Sequence, residues 1–224
     1  MKLIPVILIL STLIFFACHK HKDPGLEGQY QAASSVSVGP VVLYAANYST
    51  TDEQFIRAYL NRTNLPSWYF NFSSTESNPY LFTINIHSGN LVTINDSSAT
   101  INAEITSETD STLILSEIDS TTGWWPTTIP WCFQLYEKTT LVQPQKVCEP
   151  TFGGFNCKYR RLYVVRKTNG QLLLPMLTYQ SRVATGCYYA VKDLRNIFKS
   201  SVLGELHAGD TVVVQQKTAR LNKQ

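Results

Sequence analysis

From residue 81 to residue 118, apolar and polar side chains alternate with a period of two. Leu81-Phe82-Thr83-Ile84-Asn85-Ile86-His87 and Leu91-Val92-Thr93-Ile94-Asn95 flank Ser88-Gly89-Asn90, the pattern of two half-buried strands joined by a short hairpin. Ile101, Ala103 and Ile105 continue the alternation, and Glu108-Thr109-Asp110-Ser111 turns it into a strand over residues 112–118. Upstream, strands are predicted near 28–38 and 41–47, and Trp68, Phe70 and Phe72 alternate with Tyr69 and Asn71. Between these, Thr51-Asp52-Glu53-Gln54 has the capping-box form. Phe55, Ile56, Tyr59 and Leu60 then recur on one helical face, which predicts a helix over 51–60.

Downstream, residues 119–130 read as an irregular loop holding Trp124-Trp125-Pro126, followed by a strand over 131–137. Residues 159–167 and 171–179 make a hairpin around Thr168-Asn169-Gly170, an Asn-Gly turn signal. Val191, Leu194, Ile197 and Phe198 form a helical stripe near 188–200, and a last strand over 211–217 follows the turn His207-Ala208-Gly209-Asp210. About ten strands and two short helices predict a mainly β chain, a single antiparallel β-barrel without exposed edges. A β-sandwich is the alternative.

The N-terminal residues obey a different rule. Lys2 precedes an apolar run from Leu3 to Phe16, broken only by Pro5, Ser11 and Thr12, about 14 residues in all. A helix that crosses the hydrocarbon core needs about 20, so the run has the length of a signal-peptide core. It ends in Ile14-Phe15-Phe16-Ala17-Cys18 and gives way to His19-Lys20-His21-Lys22-Asp23. This junction resembles the lipobox of bacterial lipoproteins. Phe15 stands where Leu is usual, as in the looser lipoboxes of Bacteroidota. The resemblance implies cleavage after residue 17, acylation of Cys18 and residence in the cell envelope as an outer-membrane lipoprotein, on its periplasmic or surface face. Two or more acyl chains hold stably, because each buried methylene contributes about 0.8 kcal/mol. The chain then divides into a leader (1–17), a tether (18–26) and a barrel domain (27–224).

Composition narrows the chemistry. Without the leader the charge balance is +2, scattered along about 200 residues, which leaves no nucleic-acid footprint. Four cysteines remain besides Cys18: Cys132, Cys148, Cys157 and Cys187. In an exported chain an even number reads as two disulfides. The preferred pairing is Cys148–Cys157, closing a short loop, and Cys132–Cys187, tying a middle strand to the C-terminal region. The run before Cys157, with Phe152-Gly153-Gly154-Phe155, looks like the closing turn of an epidermal-growth-factor-like module, here as convergent loop chemistry.

The order of elements resembles the calycin group, lipocalins and their relatives. Gly28-Gln29-Tyr30 stands for their Gly-x-aromatic opening, with Tyr in place of the usual Trp. A meander follows, and a late helix precedes the last strand. The resemblance implies a barrel whose cavity would be lined by residues such as Phe82, Ile84 and Tyr163.

No Gly-x-Ser-x-Gly elbow, phosphate-binding glycine loop or His-Glu-x-x-His motif occurs. No catalytic residue, metal ligand or cofactor is therefore assigned. Glu104 and Glu117, in neighbouring strands, are read as solvated positions on the barrel exterior rather than as an acid/base pair. Trp124, Trp125, Trp131, Tyr188 and Tyr189 would converge if Cys132 pairs with Cys187, as an aromatic platform for sugar rings or the mouth of an apolar pocket. The sequence thus points to a membrane-tethered, non-enzymatic lipoprotein that binds a small apolar molecule or a glycan. The alternative is a structural or accessory subunit of an outer-membrane assembly with no small ligand.

Overall fold

Each barrel strand pairs antiparallel with the next one along the chain until the last returns to the first. The computed structural model describes residues 25–78, 82–96 and 99–224; the leader and Cys18 lie outside the described residues. In chain order the elements are β1 (Gly28–Ala45), β2 (Tyr48–Thr50), α1 (Glu53–Arg62), β3 (Thr75–Ser77), β4 (Thr83–Ile86), β5 (Leu91–Asn95), β6 (Thr100–Glu108) and β7 (Thr112–Glu117). They continue as β8 (Thr121–Pro126), α2 (Trp131–Thr139), β9 (Gln145–Thr151), β10 (Gly154–Arg160), β11 (Leu162–Thr168), β12 (Gln171–Arg182), β13 (Tyr188–Leu194) and β14 (Thr211–Lys223). The ring runs β1-β4-β5-β6-β7-β11-β12-β14 and closes on β1. This is a closed eight-stranded antiparallel barrel. A separate sheet, β8-β10-β9, is inserted between β7 and β11.

Alternation fills the barrel. Ile84, Ile94, Leu115 and Leu174 point inward from four strands, and Phe82, Tyr163 and Ala219 join them in one buried apolar cluster. Fully burying one such aliphatic side chain contributes roughly 1.5–3 kcal/mol. Leu26, which the sequence assigns to the tether, belongs to the same cluster.

The strands β1, β12 and β14 overshoot the barrel, and successive residues of the overshoot face opposite ways. Both faces therefore need cover. Val41, Leu43 and Val213 pack against Ile56 and Leu60 of α1. Leu177, Tyr179, Val212 and Val214 pack against Leu135 and Tyr136 of α2. Residues 63–77 lie across the mouth between α1 and the barrel, held by polar side chains from the strands. Gln180 Nε2 donates to the Pro66 carbonyl at 2.9 Å, and Asn71 N donates to Gln215 Oε1 at 2.9 Å. The buried Lys217 ammonium meets Glu76 at 2.9 Å. Burial pushes the Glu76 carboxyl up, but hydrogen bonds from Lys217 and Asn71 outweigh that and hold it below the ordinary carboxylate range.

Several local expectations change. The strands predicted at 28–38 and 41–47 are one strand, β1, with shifts of register between Ala32 and Val36 and between Val38 and Val41. Gly39 sits at the second shift, where a Cβ would lie 2.8 Å from the Gln216 carbonyl oxygen. The α1 cap is Asp52 rather than Thr51; its carboxylate accepts from Phe55 N at 2.9 Å. Trp68 and Tyr69 lie in a 3-10 turn, Ser67–Tyr69.

The predicted strand at 131–137 is the helix α2. Trp131, Phe133 and Leu135 satisfy a period of two, but Cys132, Leu135, Tyr136 and Thr139 satisfy the helical period and are the residues buried. The helical stripe predicted at 188–200 is β13 as far as Leu194, registered on β12 through Tyr179 with Val191 and Ser181 with Tyr189, and Phe198 beyond it makes an isolated bridge to Thr140. The loop predicted at 119–130 contains β8.

Both expected disulfides form. Cys148–Cys157 joins directly opposed residues of β9 and β10, and Cys132–Cys187 ties α2, not a strand, to the approach to β13. The two span sequence separations of 55 for Cys132–Cys187 and 9 for Cys148–Cys157. Loop entropy then makes the long one worth about 4 kcal/mol and the short one about 3. Paired Cys→Ser variants followed by urea denaturation should show the larger loss for C132S/C187S. A larger loss for C148S/C157S would contradict that order.

Candidate functional site

Closure of the ring gathers four chain segments at one end. The hairpin turn at Asn169 and Gly170 has positive φ at both residues, 49° and 75°, as a tight two-residue reversal requires. Beside it lie the turn between β6 and β7, the approach to β1 and the end of β14. Together they enclose a half-open basin of about 680 Å³, within the range of small-molecule sites.

The basin is amphipathic. Leu26, Tyr30, Leu172 and Leu221, all members of the barrel cluster, form its floor. Lys167, Asn169, Arg220, Asn222 and Lys223 line it with polar atoms, with Asp110 as the carboxylate among its lining residues. Its walls are held in place. The Tyr30 hydroxyl donates to the Leu26 carbonyl at 3.0 Å, and Lys223 Nζ donates to the Gly25 carbonyl at 3.0 Å while lying 5.7 Å from the Tyr30 ring centre. Lys167 pairs with Glu108 at 2.8 Å. None of these lining residues was singled out from the sequence as a ligand contact.

The deep chamber expected around Phe82, Ile84 and Tyr163 is occupied by side chains. Phe82 and Ile84 are fully buried in the packed cluster. Glu104 and Glu117 do not face one another. Ala103 registers with Glu117 and Glu104 with Ser116, so the two carboxylates lie on opposite faces. Glu104 is exposed. Glu117 is buried, which corrects its placement on the exterior, and it accepts from the Tyr163 hydroxyl at 2.8 Å. Burial, then the bond to Glu117, pushes the Tyr163 phenol well up.

The five aromatic candidates fall into two groups. Trp124 and Trp125 lie on β8. Trp125 packs edge-on to Tyr159 with Lys146 above it, and Trp124 is exposed. Gly154, on the neighbouring strand, leaves the space for them, since a Cβ there would sit 2.3 Å from the Trp125 carbonyl oxygen and 2.6 Å from the Trp124 ring. Trp131 and Tyr189 belong to the α2–β13 cluster. Tyr189 packs on Phe133 and Tyr136, and neighbouring Tyr188 is exposed. Among the described residues no ring contact joins the two groups. The disulfide Cys132–Cys187 brings Trp131, Tyr188 and Tyr189 to one region without Trp124 and Trp125.

Trp131 has a structural partner. Its indole N–H donates to Asp210 Oδ2 at 3.0 Å, and the same buried carboxylate accepts from the backbone N–H groups of Ala184 and His207, each at 3.1 Å. This ties the start of α2 to the turn before β14. No protein-family model, curated protein or solved structure matches the chain.

Burial raises the Asp210 carboxyl, but the three hydrogen bonds outweigh it and leave the group below its ordinary value of 3.8. A carboxyl depressed on folding stabilises the fold above its unfolded pKa, and that contribution is lost as pH falls through the folded one. Thermal denaturation between pH 5 and 2 should show Tm falling below pH 4, with a shallower fall in Asp210→Asn. Parallel curves for the two proteins would show that Asp210 does not drive the loss.

Proposed function

We propose that the protein is a lipid-tethered, non-enzymatic lipoprotein of the bacterial cell envelope whose barrel binds a small, largely apolar molecule with a polar head. The observation that carries this reading is the basin at the barrel end, apolar at its floor and cationic along its walls. An apolar body would rest on Leu26, Leu172 and Leu221, and a polar head would meet Lys167, Arg220 and Lys223. The packed middle of the barrel limits such a ligand to the end of the ring. The lipobox-like junction at Cys18 supports the tether, and two disulfides suit an oxidising compartment.

A second reading, an accessory subunit of an envelope assembly, is favoured by one feature. The inserted sheet β8-β10-β9 exposes Trp124, Val147 and Phe152. Large exposed apolar side chains of this kind suit a protein partner.

The tether is tested by Cys18→Ser, which should move the protein from the membrane to the soluble fraction. Unchanged partitioning would remove the anchor from the account. The ligand is tested by native mass spectrometry of the mature protein purified from its own host, which should show a bound small molecule. Gln171→Trp, at the exposed rim of the basin, should remove it without disturbing the core. A ligand-free mass, or a bound mass that survives Gln171→Trp, would refute binding in the basin.

A further inference from the structure

At the opposite end of the barrel a second cavity, of about 240 Å³, brings together Arg161, Tyr163, Lys192, Arg195 and Asn196. We propose that it binds a phosphate group, free or borne on a small molecule. Three strand ends meet there because β7 finishes at Glu117, β11 begins at Leu162, and the chain leaving β13 crosses the mouth, where Val164 N donates to the Arg195 carbonyl at 3.1 Å.

The cations are held from behind. The Arg195 guanidinium lies 4.5 Å from the Phe82 ring centre and 5.8 Å from that of Tyr163, with Asp96 at 3.6 Å on one side. Two rings and a carboxylate hold it in place. Arg161 is gripped by Glu117, with Nε 3.0 Å from Oε1 and the backbone N–H donating to Oε2 at 3.2 Å. Glu117 and Asp96 hold the two guanidinium groups without themselves belonging to the lining of the cavity. Planar guanidinium groups that are already oriented match the oxygens of a phosphate and lose little side-chain freedom on binding it. Lys192 adds a point charge, and Glu76, Lys217 and Trp68 stand next to it on the barrel-mouth side. Glu117, Asp96 and Glu76 offset the three charges, so an anion here is held by the fork geometry of the two guanidinium groups, which fits a phosphate better than a monocarboxylate.

This site is independent of the basin, and its test is separate. Isothermal titration of the mature protein with inorganic phosphate, at fixed ionic strength and against a chloride blank, should give saturable binding at one site. Arg195→Gln should weaken it at least tenfold. Arg195→Lys, which keeps the charge but loses the planar fork, should weaken it less than Arg195→Gln. Arg166→Gln, at an exposed position of β11, should leave it unchanged, and circular dichroism of each variant reports whether the barrel is intact. Absence of saturable binding to the wild-type protein, or equal affinity in wild type and a folded Arg195→Gln, would overturn the proposal. Were Arg195→Gln not to fold, a tenfold loss in Arg161→Gln would support it and an unchanged affinity would overturn it.

Discussion

The pairing of β1 with β14 is the constraint on which the remainder of this molecule depends. Leu43 lies opposite Val213 and Tyr30 opposite Lys223, so strands from opposite ends of the chain close the ring. Closure removes the two edges that a meander would otherwise expose, and it converts eight amphipathic ribbons into one interior. The same pairing carries β1 and β14 past the barrel, and that overshoot gives α1 and α2 a surface on either side. The entropy of joining distant segments is recovered only when the whole ring is in place, so this fold depends on long-range contacts at every stage.

Inside the ring, chemistry is layered. Apolar side chains pack the middle, while charged groups gather where the strands end. The buried Lys217 is satisfied by Glu76, and the buried Glu117 by Arg161 and Tyr163, because an ionised group withdrawn from water is tolerated only when paired. Solvent-accessible space is thereby displaced to the two ends. One end is a wide amphipathic basin and the other a narrow cationic pocket.

Much of this was legible in the alternation of residues 82–118 and in the Asn169-Gly170 turn, where periodicity and turn chemistry agree. The element type of 131–137 and 188–200 was not. Both stretches satisfy two periods at once, and burial against β12 and β14 decided between them. The disulfides were readable because four cysteines admit only three pairings, and Cys148 and Cys157 stand close enough in sequence to close a short loop. The basin was not readable, since Leu26, Lys167, Arg220 and Lys223 come from separate segments that meet only after closure. Knowing that the chain is an up-and-down meander would have placed the β6–β7 and β11–β12 turns at one end. The burial of Glu117 was missed for a related reason: a lone glutamate in a strand shows its face only through the register of its neighbours.

The central claim is that recognition takes place at the barrel's basin and not on the exposed aromatic sheet. Backbone-amide NMR of the Cys18→Ser protein, titrated with a lipid and small-molecule extract of its host cells, tests it most directly. Shift changes should concentrate at residues 25–30, 167–172 and 220–223. Changes confined to Trp124, Val147, Phe152 and their neighbours in the inserted sheet would contradict it.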